Sequence, residues 1–546
     1  MSLVKIFIII GIFLVSEVYS QDKKAFKEVF MDAEYFFLSE EYEEAIFLYS
    51  ELLKNDSTNS NLHFLIGASY LSIYGKKEKA IPYLERAVLD MTNSYKEGSY
   101  KERKAPRYAL FGLANAYHIN NEFDEAIKYY NKYKDIMVMR NFAEIDFVNK
   151  QTESCEYAKQ MVLKPDAINF RDIGDVINYS MSNYNPVISG NNSILIYMAN
   201  RPFYAAIMMS ENVNGEWTEP KVLNAQLGSD GDCYATSISY DGKELYLVKK
   251  DYYNSDIYVS YFKRRKWSKI QKLDNNINTN YYESHACISK DNKTLYFTSN
   301  RKGGEGAMDI YKSKRDKNNK WGPAVNLGPT INTLYSEETP FVTENDEMLF
   351  FSSQGYMTMG GFDIFYSTKL SNDEWSLPVN MGYPINSSDD DLFFVPVNNG
   401  MYAYYSAVFD EVNRRRSIYS LKLFSEKKLN EVAFRGVISL SDNVEILDKS
   451  INLSIIDSEK EDTIAIIHPD APTGEFKYNL KPGPYKINID CDGYASKSVN
   501  INIIPDYLQS GIYFEAELKP EEVSSGEYII VKNIMFVLIF SIFISI

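Results

Sequence analysis

Three carboxylates recur at one interval: Glu283, Glu337 and Asp391 stand 54 residues apart each time, and two further copies of the position carry Asn183 and Cys233. Equivalent positions of a circular repeat lie on one circle, so the three acids would surround one mouth of a central channel. Such a cluster would attract a cation or a Lys/Arg-bearing partner segment, in a salt-sensitive way. Three carboxylates fall short of the roughly six to eight oxygens that Ca²⁺ takes, which favours a basic peptide over a metal. Solvated loop acids in an acidic chain are the plainer alternative. A second series, Asp256, Asp309 and Asp363, could be catalytic or metal-binding. A repeated residue is more simply a repeated structural need, such as an Asp bonded to the backbone of its own turn.

The remaining chemistry is sparse. A hydrolytic triad needs a nucleophile, a His base and an orienting acid. The chain has four histidines, His63, His118, His285 and His468, and no GxSxG elbow. His285, at the start of a strand in "YYESHACIS", reads as a buried, hydrogen-bonded core histidine rather than a base. GxxxxGK[ST], HExxH and paired CxxC motifs are absent, so neither catalysis nor a cofactor is expected. Cys155, Cys233, Cys287 and Cys491 are widely scattered. They suit buried free thiols, or at most one disulfide in an exported chain. A net charge of −16 argues against nucleic acid as a partner.

The elements that position these residues repeat as well. "GAMDIYKSKRDKNNKW" at 306–321 returns as "GGFDIFYSTKLSNDEW" at 360–375, and a fixed period of this length marks a repeat architecture. All four tryptophans, Trp217, Trp267, Trp321 and Trp375, hold one place in the unit, 50, 54 and 54 residues apart. Each unit reads as four short strands with turns such as Asp241-Gly242 and Asp291-Asn292. Five copies of the third strand but four tryptophan strands leave one fourth strand missing. "FRDIGDVIN" from Phe170 supplies it, if Phe170 to Ile177 pairs with Ser417 to Leu423. That closes a ring with no open sheet edge, a five-bladed β-propeller over 166–425. The phrases "SxDGKxLYxxS", "GGxDIYxS" and the tryptophan resemble the WD40-like propeller repeats of exported bacterial proteins, with departures in the first and last units.

Residues 21–162 show helical periodicity instead. Ala33/Ala45/Tyr49, Ala68/Ala80/Leu84 and Ala114/Ala126/Tyr130 place small residues about twelve apart with a large one four further on. That spacing lets antiparallel helices approach closely. The three units resemble tetratricopeptide repeats, with an insertion near Met91 to Pro106, and are expected to fold alone. The resemblance implies a concave groove for a protein or peptide, with simple packing as the alternative.

From 432 to 518 apolar and polar residues alternate between Gly and Pro turns, the pattern of a small β-sandwich. "TGEF", "LKPGPY" and "GY" at 493–494 resemble the carboxypeptidase regulatory-like domain, a packing and adhesion module. Residues 1–20, with Lys5 ahead of an apolar run, read as a signal peptide. The segment 519–546 is a linker with an apolar run, Ile534 to Ile546, short of the about 20 residues that span a bilayer as a helix. Helical repeats, propeller and sandwich in this order resemble exported OmpA-family envelope proteins of Bacteroidota. "EYIIVKNIMF" is similar to the first strand of their peptidoglycan-binding domain. The rest of that domain is missing, through truncation or replacement by an apolar tail, so peptidoglycan binding is not carried over.

The fold class expected is therefore multidomain, α then all-β: helical-repeat array, five-bladed β-propeller, small β-sandwich. The resemblance implies a non-enzymatic scaffold of the periplasm or outer membrane, accessory to type IX secretion or envelope anchoring, that binds proteins through the helical groove and a propeller face. A glycan- or peptide-binding module for nutrient uptake and a propeller lyase or peptidase are the alternatives.

Overall fold

The computed structural model describes residues 25–532, leaving aside 138–141, 179–181, 202–203, 251–253, 371–373, 409–414, 424–431, 442–450, 459, 471–472, 482, 504–511 and 521–530. The expected signal peptide and apolar tail lie outside the described residues.

The chain is mostly β with a helical N-terminal region. Helices α1 (25–38), α2 (Tyr42–Asn55), α3 (Ser60–Leu71), α4 (Ile81–Ala87), α5 (Ala109–Ile119), α6 (Phe123–Ile136) and α7 (Phe142–Met161) pack largely against their sequence neighbours. The small residues do what their spacing predicts: Ala33, Ala45, Ala80, Ala114 and Ala126 have no exposed surface. The second unit differs by one position. Its close contact is made by Gly67, where a Cβ would lie 2.6 Å from Leu84 Cγ, while Ala68 is only half-buried. The insertion before α5 is pinned by two short parallel strands, Met91–Thr92 and Ala105–Pro106.

Five antiparallel meanders follow. Their first strands are Asn183–Ile188, Cys233–Ile238, Glu283–Ile288, Glu337–Val342 and Val395–Val397. Each touches the first strands of two others in cyclic order, the fifth returning to the first. The last meander borrows its fourth strand from the far end of the region: Phe170–Asp172 pairs antiparallel with Ser417–Lys422, through Phe170–Leu421, Arg171–Ser420 and Asp172–Tyr419. The borrowed strand is shorter than expected, because Gly174 turns the chain into a helical turn, Asp175–Asn178.

The tryptophans pack between successive meanders. Trp267 Nε1 approaches Met209 Sδ at 3.3 Å, and Trp375 meets Tyr296 edge-on. Beyond residue 431, two four-stranded sheets enclose a separate apolar core around Phe434, Phe476, Ile487 and Phe514. Val531–Lys532 adds a strand to one of them, so part of the segment expected to be linker or the start of a further domain belongs to the sandwich.

The helices meet the meanders at several places, among them Ser388 Oγ to Asn121 Oδ1 at 2.7 Å, and one loop reaches into the helical core. Met359 has no exposed surface and sits within the core of α5–α7, not in a sheet core. His118 of α5 bonds to the Met359 carbonyl at 2.8 Å, Ser154 of α7 meets Thr358 at 3.2 Å, and Lys150 donates to the Tyr356 carbonyl at 3.0 Å.

Candidate functional site

The three periodic carboxylates occupy equivalent places, as their spacing requires, but they do not form an acidic mouth. Glu283 and Glu337 open their strands with no exposed surface, and Asp391 retains 2 %. Each closes its own preceding loop. Glu337 accepts from Thr333 N at 2.8 Å, Thr333 Oγ1 at 2.8 Å and Ser353 Oγ at 2.7 Å. Glu283 repeats this with Thr279 and Ser299 and adds Arg301 at 3.2 Å. Asp391 binds Ser387 and the Tyr405 hydroxyl. Burial raises the carboxyl pKa of Glu337 and Asp391 above the ordinary range, despite these donors. Side chains buried and bonded in this way present no charge to a basic partner. The expected partner-binding role of Glu283, Glu337 and Asp391 is replaced by a local one.

The aspartate series divides in two. Asp309 accepts from the backbone of Glu305 and Gly306 at 2.6 and 3.1 Å, and Asp363 from Met359 N at 2.9 Å. Both also accept from an asparagine of the fourth strand, Asn326 or Asn380. Asp256 instead pairs with Lys272 at 2.6 Å, the residue standing where the later repeats have asparagine. Burial pushes the Asp363 carboxyl up to about 7.

A third polar series consists of asparagines. Asn178, Asn224, Asn278, Asn332 and Asn386 each accept from the backbone N–H of one third-strand isoleucine and donate to a carbonyl of that strand. For Asn332 the partner is Ile310, at 2.8 and 3.0 Å. For Asn178 it is Ile418, at 3.0 and 2.9 Å, 240 residues away.

His285 is more than a core histidine. It lies at φ 45° in a bulge of its strand, and Asn185, Thr339 and Phe393 adopt the same left-handed backbone at matching positions. Its Nδ1 is 2.9 Å from both Ser284 Oγ and Glu338 Oε2, its Nε2 is 3.5 Å from the Tyr234 hydroxyl, and its ring meets Phe393 at 5.1 Å. Hydroxyl and carboxylate thus crowd the same ring nitrogen. A hydrolytic relay needs them on opposite nitrogens. Among the described residues no group of three or more His, Cys, Asp or Glu is placed to hold a metal ion.

Open clefts lie elsewhere on the described residues. One of about 760 Å³ runs along α4–α6 and is lined by Arg86, Leu89, Met91, Leu110 and Lys132, with Tyr129 carrying the Lys132 ammonium 4.4 Å above its ring. Two others, of about 410 and 230 Å³, lie where the turn after α3 faces the fifth meander. Among the described residues no helix is long and apolar enough to cross a membrane.

No protein-family model matches the sequence, and neither does any curated protein. Solved structures overlap part of it. TolB from Acinetobacter baumannii shares 16 % identity over 45 % of this chain and 55 % of its own, with a TM-score of 0.31. A thermostable family-43 glycoside hydrolase shares 16 % over 45 % of this chain and 91 % of its own, with a TM-score of 0.32. A xylan β-1,4-xylosidase from Bacillus halodurans shares 12 % over 64 % and 95 %, with a TM-score of 0.32. The chain spans about half of the TolB structure. Superpositions this loose establish no common fold or activity.

Proposed function

We propose that this protein is a non-enzymatic scaffold in which the five meanders are the blades of a five-bladed, WD40-like β-propeller and the helices are a tetratricopeptide-like array fixed to it. The observation that best supports this reading is where the recurrent polar residues go. The Asn series, the Glu/Asp series and the Asp series are spent on backbone, loop or ion-pair contacts, while an open cleft of about 760 Å³ lies on the helices. In this reading the helical cleft takes a protein partner, with Leu89 and Met91 as apolar contacts and Arg86 and Lys132 at the rim. The C-terminal sandwich acts as a carboxypeptidase regulatory-like module. The chain is exported and works on the periplasmic side of the outer membrane, in type IX secretion or envelope anchoring, like the Bacteroidota OmpA-family proteins it resembles. A photo-crosslinking amino acid at Leu89, in cells, tests this. One discrete adduct, lost on Lys132→Glu and found in the outer-membrane fraction, is expected. A diffuse pattern in the cytosol would sink the reading.

A further inference from the structure

The 410 Å³ cleft is built from both parts of the molecule, and one cation organises it. Leu71, Tyr74 and Lys77 line it from the helical side; Tyr184, Phe393 and Arg416 line it from the meanders. The Arg416 guanidinium lies between two rings, 3.5 Å from the Tyr74 centroid and 5.3 Å from that of Tyr184. Stacking of this kind uses the faces of the planar cation and leaves its N–H edge unused. Among the described residues no side chain or carbonyl accepts from that edge, and no carboxylate pairs with it, whereas Lys77 beside it is already paired with Asp389. A stacked guanidinium with a free fork is suited to bidentate binding of a carboxylate. The tyrosine faces that could have stacked on a sugar are taken by Arg416. The flanking walls are mixed: Leu71, Leu392 and Phe393 supply apolar surface, while Asn185 and Asp390 also line the cleft, and the volume is within the range of small-ligand clefts.

We propose that this cleft binds the C-terminus of a peptide, its terminal carboxylate forked by Arg416 and an apolar last side chain set against Leu392 and Phe393. The proposal rests on the reading of the chain as a binding protein but uses a different surface from the helical cleft, so either can fail alone.

The full chain is titrated with a pool of tripeptides ending in Leu or Phe, the same pool amidated, and glucuronate, each followed by ligand-observed NMR. The free-acid pool should bind saturably and at least ten-fold more tightly than the amides or glucuronate. Arg416→Lys, which keeps the charge and loses the fork, should weaken it at least five-fold with an unchanged thermal transition. Equal binding of acid and amide, equal binding of glucuronate, or no saturable binding of the acid pool would each overturn the proposal. So would an Arg416→Lys chain that binds like the native one. The comparison of acid with amide needs no variant, so it decides the matter even if Arg416→Lys does not fold. Cross-linking at Leu89 is the control: persistence there with failure here leaves the scaffold reading standing.

Discussion

At the scale of single residues, the asparagine series does the most for the fold. Each buried amide satisfies both the donor and an acceptor of a third strand, so its removal strands two backbone groups away from water. Leaving such groups unpaired costs about 1–3 kcal/mol apiece, and Asn332→Ala should lose about 3 kcal/mol in denaturant unfolding; a loss under about 1 kcal/mol would show that water reaches Ile310 instead. His118 makes a pH-dependent prediction. Burial lowers its pKa from 6.5 to about 4, so its neutral form is the one the fold accepts. Its contribution is complete above pH 6.5 and is lost as pH falls toward 4, by about 3 kcal/mol at about 1.4 kcal/mol per pKa unit. Asp363 acts oppositely, because its folded pKa lies above its free value: its cost at neutral pH is relieved as the solution is acidified. The His118→Gln chain, compared with the native one at each pH, separates the two, and the stability difference between them should shift by that amount across pH 6.5 to 4. The acidic series was legible in the sequence as position but not as direction. A period says which residues are equivalent; it does not say whether a side chain faces a channel or folds back onto its own loop. The threonine four residues ahead of Glu283 and Glu337 was the available signal, since a hydroxyl at that spacing can close a turn on the carboxylate.

At the scale of elements, the second and third strands of the repeat were legible because apolar alternation and turn residues agree there. What escaped was the difference between two copies of one loop. Residues 301–307 read RKGGEGA, and 355–361 read GYMTMGG. The first is charged and stays largely in solvent; the second is apolar, and its Met359 is the plug in the helical core. A repeat hides such a change, since the eye is drawn to what is kept. Removing a fully buried methionine side chain costs about 2–5 kcal/mol where the site cannot collapse. Met359→Ala should therefore lower stability by about that amount, and Met359→Glu should release the helices, seen as an increased radius of gyration in solution scattering. Met357→Ala is the control, because that residue is half exposed in the same loop, at 50 %. Equal effects at 357 and 359 would mean that the loop, not the plug, makes the contact. Gly360 is fixed by close approach: a Cβ there would lie 2.2 Å from the Ser388 carbonyl oxygen, so Gly360→Ala should act like Met359→Ala without touching the helical core.

At the scale of the whole molecule, the helices and the meanders are expected to unfold together, which revises the sequence expectation that 21–162 folds as an independent array. Periodicity is local and could not reveal a seam between residues 118 and 359. The region of meanders is itself closed by contacts between its ends, Phe170–Asp172 against Ser417–Lys422 and Asn178 against Ile418. Closing a loop of some 240 residues carries an entropic cost that grows only slowly with length. A few well-made bonds can therefore hold it, and breaking them should be felt throughout the ring. Asn178→Ala in the full chain is the sharpest probe, because the same substitution at Asn332 removes the same bonds without opening the ring's ends. Both should lower stability by about 3 kcal/mol through unsatisfied backbone groups. Only Asn178→Ala should also raise hydrogen exchange across the first and fifth meanders, and in α3, whose following turn carries the Tyr74 that packs against Arg416. Exchange confined to 170–178 in that variant would mean that the closing strand is a surface attachment and that the remaining meanders hold together without it.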